Sequence, residues 1–592
     1  MRKLRTLRLG RSLARDDTGI AMVLVIGVGS VLAILIVTAV AFSVNGLKVS
    51  RASSDWNAAL AASYAGVEEY QSRLADDPAY FRYGNPASTF NATPTKVKLP
   101  IGTEVNPAFG LGATGTWATV DGSSGEATFR YEVDNSSYST DGKIRLRSTG
   151  RVGNETRSIV ADLKQQGFID FLYFTDYEIQ DPDQSGSPLS CVTYAWAGRS
   201  TSIVNGKPLC SDIAFGAADS IDGPVHSNDA IRACQSVFKK QVTTAYQPTS
   251  GSFILNKNSG GSSCTAATTS PQYPPKFSPV VGMPSTNSQI RKEVRSDLAA
   301  ADVPFPGCLY TGPTSIKLNS NGTMTVRSPW TKKTRVAGDP VTSGSDNNAA
   351  CGSSADLKST AGATITVPKD NVVFVQNVPA SPSDPNYWAA TDQPNSGSCK
   401  GVDGGVGNGI GYPRTQELAP LGTPYGCRNG DVFLSGTLKG NLTINSENYF
   451  YIVGDVLYSD KEKDMLGIIG QNAVFVWNPV KDATSSGALL GNNREINGAI
   501  LSVAHTFQVQ NNDKGGDQGT LTVNGAIAQK FRGIVRVTLG TGQVNGYLKA
   551  YNYDPRLKYL APPKFLSPVT TTYGVNIWVE VSPVFKATGV PF

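Results

Sequence analysis

The sequence predicts a mainly β protein with one long N-terminal α-helix, a small β-meander, and then a right-handed parallel β-helix, or solenoid. Three observations carry that expectation. A run of 25 residues without a charge, Ile20 to Val44, leads into an Ala-rich amphipathic stretch. After residue 85, Gly, Pro, Ser and Asn recur too densely for long helices. Between residues 431 and 545 short β-forming runs follow one another, and Gly470, Gly498 and Gly525 precede three of them at intervals of 28 and 27.

The helix comes first. Residues 1–19 are a basic leader with Arg2, Lys3, Arg5, Arg8, Arg11 and Arg15, ending in Gly19 against Ile20. A helix needs roughly 20 apolar residues to cross a bilayer, so the run that follows can span. It exceeds the usual signal-peptide core of about 7–15 residues, and no small-residue cleavage site follows it in "SVNGLKVSR". The positive-inside rule keeps the leader in the cytoplasm and puts the bulk of the chain outside a single-pass span. Beyond the span, "DWNAALAASYAGVEEYQSRLADDP" keeps helical spacing, with Trp56, Leu60, Ser63, Val67 and Leu74 on one face. Asp76, Asp77 and Pro78 mark its stop, so the helical segment covers residues 20–80. A plain signal anchor accounts for the span. The amphipathic rear half asks for a surface to lie against.

A basic leader ending in Gly before an apolar run resembles a type IV prepilin cut between Gly19 and Ile20. The stretch "NAALAASYAGVEEYQSRL" is similar to PilX-type minor pilins through Ala61, Ala62, Ala65, Gly66, Glu68 and Glu69. Tyr64 stands where that motif usually has Glu. Leu24 holds the fifth mature position, where major pilins carry Glu, and this departure points to a minor subunit. The resemblance implies a prepilin peptidase and other pilins as partners. It implies residence in the inner membrane and then in a pilus, and no enzymatic activity.

Composition bounds the rest. At 592 residues the chain is too long for one ordinary domain. The net charge is +6, and the leader's net +4 would leave the mature chain near +2. No basic stripe remains to meet a nucleic acid. Eight cysteines, Cys191, Cys210, Cys234, Cys264, Cys308, Cys351, Cys399 and Cys427, all fall on the exterior side. An even count in an oxidising compartment predicts four disulfides within 191–427, with roughly a hundred pairings open. There is no C-x-x-C and there are two His, so neither a metal site nor a cofactor is expected.

The exterior divides into three. Residues 86–166 read as a small antiparallel domain, with alternating runs in "ATFRYEVDNSS", "GKIRLRSTGRV" and "TRSIVADLKQQ" and turns at Asp141-Gly142 and Gly153-Asn154. Residues 167–430 read as a loop-rich β region held by the disulfides, with strand–turn–strand in "DSIDGPVHSNDAIRA". Residues 431–592 read as the solenoid and a C-terminal cap. The glycines would occupy equivalent turns, with Val474, Ile500 and Ile527 in a shared core; a β-sandwich is the alternative. "GYLKAYNYDPRLKYLAPPKF" would cover the open end of the stack or form a binding patch. The blocks "IDGPVHSND", "GNLTINSENYFYIVGDVLY", "LGIIGQNAVFVWNPV" and "VNGAIAQKFRGIV" resemble the exterior of large actinobacterial PilX-type proteins.

Catalytic chemistry is not expected. His226, Ser227 and Asp229 are too close in sequence to meet as a triad, so a turn capped by Asn228 is the expectation. His505 has no acidic neighbour in sequence and reads as a packed or rim residue. Asp431, Asp455, Asp460, Asp464, Asp513 and Asp517 sit at turns, away from the facing pairs that acid/base work requires. Asn511, Asp513 and Asp517 offer oxygens for calcium, but a plain turn fits "NNDKGGDQG" better. The chain thus reads as a non-enzymatic minor pilin acting in assembly or adhesion, with a surface ligand or host receptor as further partner. The alternative is a membrane-anchored β-helix enzyme acting on polysaccharide.

Overall fold

The computed structural model describes residues 17–77, 80–91, 97–112, 115–138, 143–165, 167–217, 219–300, 302–394, 399–418, 425–539, 542–558, 560–566 and 573–592. It is mainly β with one long N-terminal helix, α1, Asp17–Asp76. The chain divides into two units, Met1–Gln165 with Tyr573–Phe592, and Gln166–Thr572.

In the first unit, strands β1 (Ala118–Thr119), β2 (Ala127–Asp134), β3 (Lys143–Val152) and β4 (Glu155–Gln165) form an antiparallel meander, as the alternating pattern predicts. A fifth strand, Tyr573–Val581, joins β4 antiparallel. The end of the segment 431–592, expected to be solenoid and C-terminal cap, therefore belongs to this sheet. Its edge-completing strand lies about 400 residues away in sequence, beyond the reach of any local pattern.

The rear half of α1 packs on the sheet. Its buried stripe is Ala59, Ala62, Ser63, Val67, Tyr70 and Leu74, at helical spacing. This corrects the expected face: Trp56 is 41% exposed and Leu60 only half-buried, while the alanines point inward. The reason is proximity. A Cβ at Gly150 on β3 would lie 2.1 Å from the Ala59 carbonyl oxygen and 2.3 Å from the Ser63 nitrogen. Small residues on both sides let the helix touch the sheet backbone. Phe129, Tyr131, Ile144, Leu146 and Ile159 fill the space beside the contact.

The second unit contains long parallel ladders, with antiparallel pairs such as Thr314–Asn319 with Thr323–Arg327 beside them. In the first ladder, Cys308, Val373, Ile444, Ile468, Ile500, Ile527, Tyr173, Val225 and Val242 stand in register, each beside the next. In the second, Ile316, Leu434, Ile452, Val476 and Val509 align. In the third, Gly436, Val456, Ile496, Val523, Tyr551, Ile221 and Phe238 align. Apart from Gly436, these residues belong to one continuous apolar core.

The ladders revise several expectations. Gly498 and Gly525 are in register, as are Ile500 and Ile527. Gly470 instead pairs with Ser502, and Val474 with Phe507. A fixed spacing cannot hold because the coils differ in length. The boundary at 430/431 disappears, since Thr314–Asn319 pairs with Val432–Leu438 and Asn371–Gln376 with Asn441–Ser446. The Tyr-rich stretch "GYLKAYNY" lies in strand Val544–Tyr553, a ladder member rather than a cover.

Spatial order also departs from chain order. Strand Asp517–Phe531, near the end of the unit, pairs directly with Tyr173–Tyr177 at its beginning. The path starts within the stack, runs to one end by residue 277, and resumes at the other end near residue 308. Its last coil then closes against its first.

Candidate functional site

The front half of α1 is the most distinctive surface of the first unit. Residues 22–54 are all exposed, and Met22, Val25, Ile26, Leu32, Leu35, Ile36 and Phe42 present a continuous apolar surface. The helix is long and apolar enough to cross a membrane. Thr38 turns its hydroxyl back to the Ile34 carbonyl at 2.8 Å, which satisfies the donor without an outside partner. Gly19 and Ile20 lie in the first turn of α1. The leader's basic residues from Arg2 to Arg15 lie outside the described residues.

Glu69 ties this helix to strand β2 and the turn at Asn106. It pairs with Arg73 one turn on, accepts from the Tyr131 hydroxyl at 2.9 Å, and accepts from Asn106 Nδ2 at 3.2 Å. Asn106 Nδ2 also reaches the Tyr131 oxygen at 2.7 Å, while its Oδ1 accepts from the Ala108 N–H. Burial, reinforced by the Glu69 charge, raises the Tyr131 hydroxyl well above its usual range, so it remains a donor. Of the motif residues named from sequence, Ala62 and Gly66 are buried, Glu69 is half-buried, and Ala61 and Glu68 face outward. A Cβ at Gly66 would lie 2.4 Å from Ser148 Oγ. Ala62 and Gly66 are thus explained by close packing on β2 and β3.

In the second unit the cysteines pair in chain order: Cys191–Cys210, Cys234–Cys264, Cys308–Cys351 and Cys399–Cys427. Each bridge closes a loop of 19 to 43 residues; Cys308 and Cys351 belong to the main apolar core, and Cys191 and Cys210 to a smaller buried cluster.

The candidate catalytic residues have structural employment. His226 lies on strand Val225–Ser227, fully buried between Phe171 and Phe174. Its nitrogens meet Thr243 Oγ1 at 2.9 Å and Asn228 Oδ1 at 3.0 Å. Burial holds its pKa down to about 4, so it is neutral at physiological pH. Asn228 does not cap its own turn: it spans to Asp176 and to the Val281 backbone, joining distant segments. Asp229 is buried, pairs with Arg199, and accepts from the backbone of Glu178 and Ala195.

His505 departs from expectation. Its Nδ1 lies 2.7 Å from Asp181 Oδ2 and its Nε2 3.8 Å from Asp183 Oδ2. The acidic neighbours come from over 300 residues away, across the closure of the stack. Together the three offer one ligand atom each within 4.8 Å of one another, a set that could hold a cation. Asp181 is also the N-cap of the short turn Pro182–Ser185, accepting from the Asp183 N–H, so this cap and the contact with His505 already account for its placement. The acids of 431–545 are employed as turn anchors. Asp464 accepts from the Gly440 and Asp460 N–H groups, and Asp517 accepts from Gly519 N–H and pairs with Arg536. Asn511 Nδ2 donates to the Asn478 carbonyl.

Sequence reading missed the setting of Asp431. It is wholly buried, with Oδ1 accepting from Asn448 Nδ2 at 2.6 Å and from the Tyr449 N–H at 3.2 Å. Burial pushes its pKa up to about 7. Only the coil stacking that surrounds it creates this environment, and the sequence shows no more than an aspartate before a strand.

No protein-family model matches the chain, and no curated protein matches it. Among solved structures it is similar to the competence-associated pilin ComZ from Thermus thermophilus, at 11% identity and a TM-score of 0.26, over 89% of this chain and 98% of that one. A likeness at that score bears on neither fold nor function.

Proposed function

We propose that the chain is a non-enzymatic, pilin-like surface protein of a type IV pilus system, in the manner of a PilX-type minor pilin. The observation that supports it most is α1 itself: one unbroken helix of 60 residues, apolar and bare in front, packed beneath an antiparallel sheet behind. The front half would reside first in the cytoplasmic membrane and later among other pilins, where its apolar surface is again covered. The leader would remain cytoplasmic until a prepilin peptidase removed it after Gly19, and the disulfide-bearing unit would lie outside. That unit would act by contact, in assembly or adhesion.

The test is N-terminal mass spectrometry of the protein in sheared surface fibres. The expected first residue is Ile20, and Gly19→Val is expected to block both processing and release into the fibre fraction. Surface protein that retains residues 1–19, or a chain found only in the membrane fraction, contradicts the reading.

A further inference from the structure

Two of the three ladders run unbroken across the closure of the stack. The first passes from strand Asp517–Phe531 to Tyr173–Tyr177, and the third from Val544–Tyr553 to Ser220–Asp222. The second stops. After Val509, its last rung is reached by the bond from the Val509 N–H to the Ile534 carbonyl at 3.0 Å. Among the described residues, no strand of the coil beginning at Tyr173 pairs with 533–538. The chain there leaves the stack as a loop carrying the Cys191–Cys210 bridge and the hairpin Ile203–Val204/Lys207–Pro208, and returns as Ala214–Phe215, which pairs in parallel with Ile231–Ala233 and not with 533–538. A cleft of about 860 Å³ opens in its place, with Val204, Leu209, Ile213, Val535, Val537 and Thr538 on its walls. That volume lies in the range of genuine ligand sites.

The edge beside the cleft is an unfinished strand. Arg536–Thr538 pairs antiparallel with residues 544–546 on one side only. Bonds from Tyr547 N–H to the Val535 carbonyl and from Leu539 N–H to the Gln543 carbonyl, both 2.9 Å, fix the phase. Odd-numbered residues face that partner. The backbone groups of Arg536 and Thr538 point the other way, and no strand takes them among the described residues. Unpaired strand edges of this kind invite another strand.

We propose that this cleft is a strand-acceptor site for an extended peptide segment of a partner protein, which pairs with the outward edge of Arg536–Thr538 and supplies the missing rung of the second ladder. The ladder dictates the ligand. Its inward positions are Ile452, Val476 and Val509, with Val535 buried beside the cleft, so the segment alternates apolar with polar side chains. The charges in the cleft narrow it further. Asp212 is held by Arg199 and Arg232, Asp219 by Lys549, and Arg536 by Asp517. Lys207 lines the cleft, is exposed, and has no ion pair among the described residues, which favours an acidic residue on the ligand's polar face. The site lies within residues 166–572 and stands whether or not the pilin reading holds.

The experiment uses the full chain in detergent and fluorescent heptapeptides that alternate Val, Ile or Phe with Thr or Glu, each with a twin N-methylated at alternate amides. Saturable binding is expected, weakened at least about tenfold in the methylated twin of the correct phase. Hydrogen exchange at the Arg536 and Thr538 amides should slow on binding. Thr538→Pro removes an outward N–H while leaving the bonds of Val537 and Leu539 to their partner strand, and is expected to weaken binding by a similar factor. The proposal is overturned if no peptide binds up to about 1 mM. Equal binding by both methylated twins, or binding that leaves both amides unprotected, also overturns it. Dimerisation of the chain that the peptide competes away would overturn the choice of a foreign partner in favour of a second copy.

Discussion

Gly150 sets how closely α1 approaches its sheet, because the atoms its Cβ would strike are helix backbone, which cannot turn aside. Gly150→Val is therefore expected to cost at least about 3 kcal/mol, at or beyond the upper end of ordinary overpacking. Protease resistance of the Met1–Gln165 unit reports it: a variant as resistant as the parent would show that the helix can lift without loss. Asp431 makes a prediction of opposite character. Its folded pKa, about 7, stands above the value of 3.8 for an unburied aspartate. Between those values the folded state binds the extra proton, so its contribution is fully present below about pH 4 and is lost as pH rises through 7. Asp431→Asn keeps an acceptor for Asn448 and Tyr449 but cannot ionise. Its stability relative to the parent should rise from pH 4 to pH 8, each tenfold difference in proton affinity between the folded and unfolded states being worth about 1.4 kcal/mol. Equal pH profiles in denaturant melts would show that Asp431 is not buried as described.

At the scale of elements, α1 and the disulfides divide the work of ordering the chain. The helix needs a surface only behind, where Ala59, Ala62 and Gly66 match the flat contact of β2 and β3. The bridges act where the ladders send out loops. Cys308–Cys351 closes 43 residues and joins the start of the first ladder to the loop beside it. Replacing both cysteines with serine is expected to lower unfolding stability by about 3–4 kcal/mol, if loop closure dominates. Thermal unfolding of the double variant checks this, and peptide mapping without reduction should recover the four pairs in chain order. The helix span, the meander and the disulfide count were legible because each rests on local spacing or on a compartment argument. The helix face was legible at Ser63, Val67 and Leu74 but misplaced at Trp56, because a Trp looks like a core residue, whereas the closest contact with the sheet is made by alanine, serine and glycine.

For the whole molecule, the closure between Asp517–Phe531 and Tyr173–Tyr177 makes the early part of the second unit depend on the late part. Ile527 covers Tyr173, and Tyr551 covers Ile221. Truncation after residue 515 should thus expose the 173–277 coils and make them protease-sensitive, instead of leaving a stable N-terminal piece. Survival of a resistant fragment spanning those coils would contradict a single shared core. The same truncation removes Tyr573–Val581 from the meander, so protection of β4 should fall as well.

Residue order alone is enough for the elements whose causes are local. A charge-free run of membrane length makes α1 apolar in front, alternation makes the meander, and β-branched runs between glycines make short strands. It also determined that the cysteines are paired, though not with which partners. Features that depend on contacts distant in sequence emerge only in the folded chain. These are the strand returned from the C-terminus to the meander, the closure of the last coil on the first, the meeting of His505 with Asp181, and the rung absent above the cleft. The first three join segments hundreds of residues apart, and their pairing is selected by the burial of the assembled core, for which no short window of residues carries a signal.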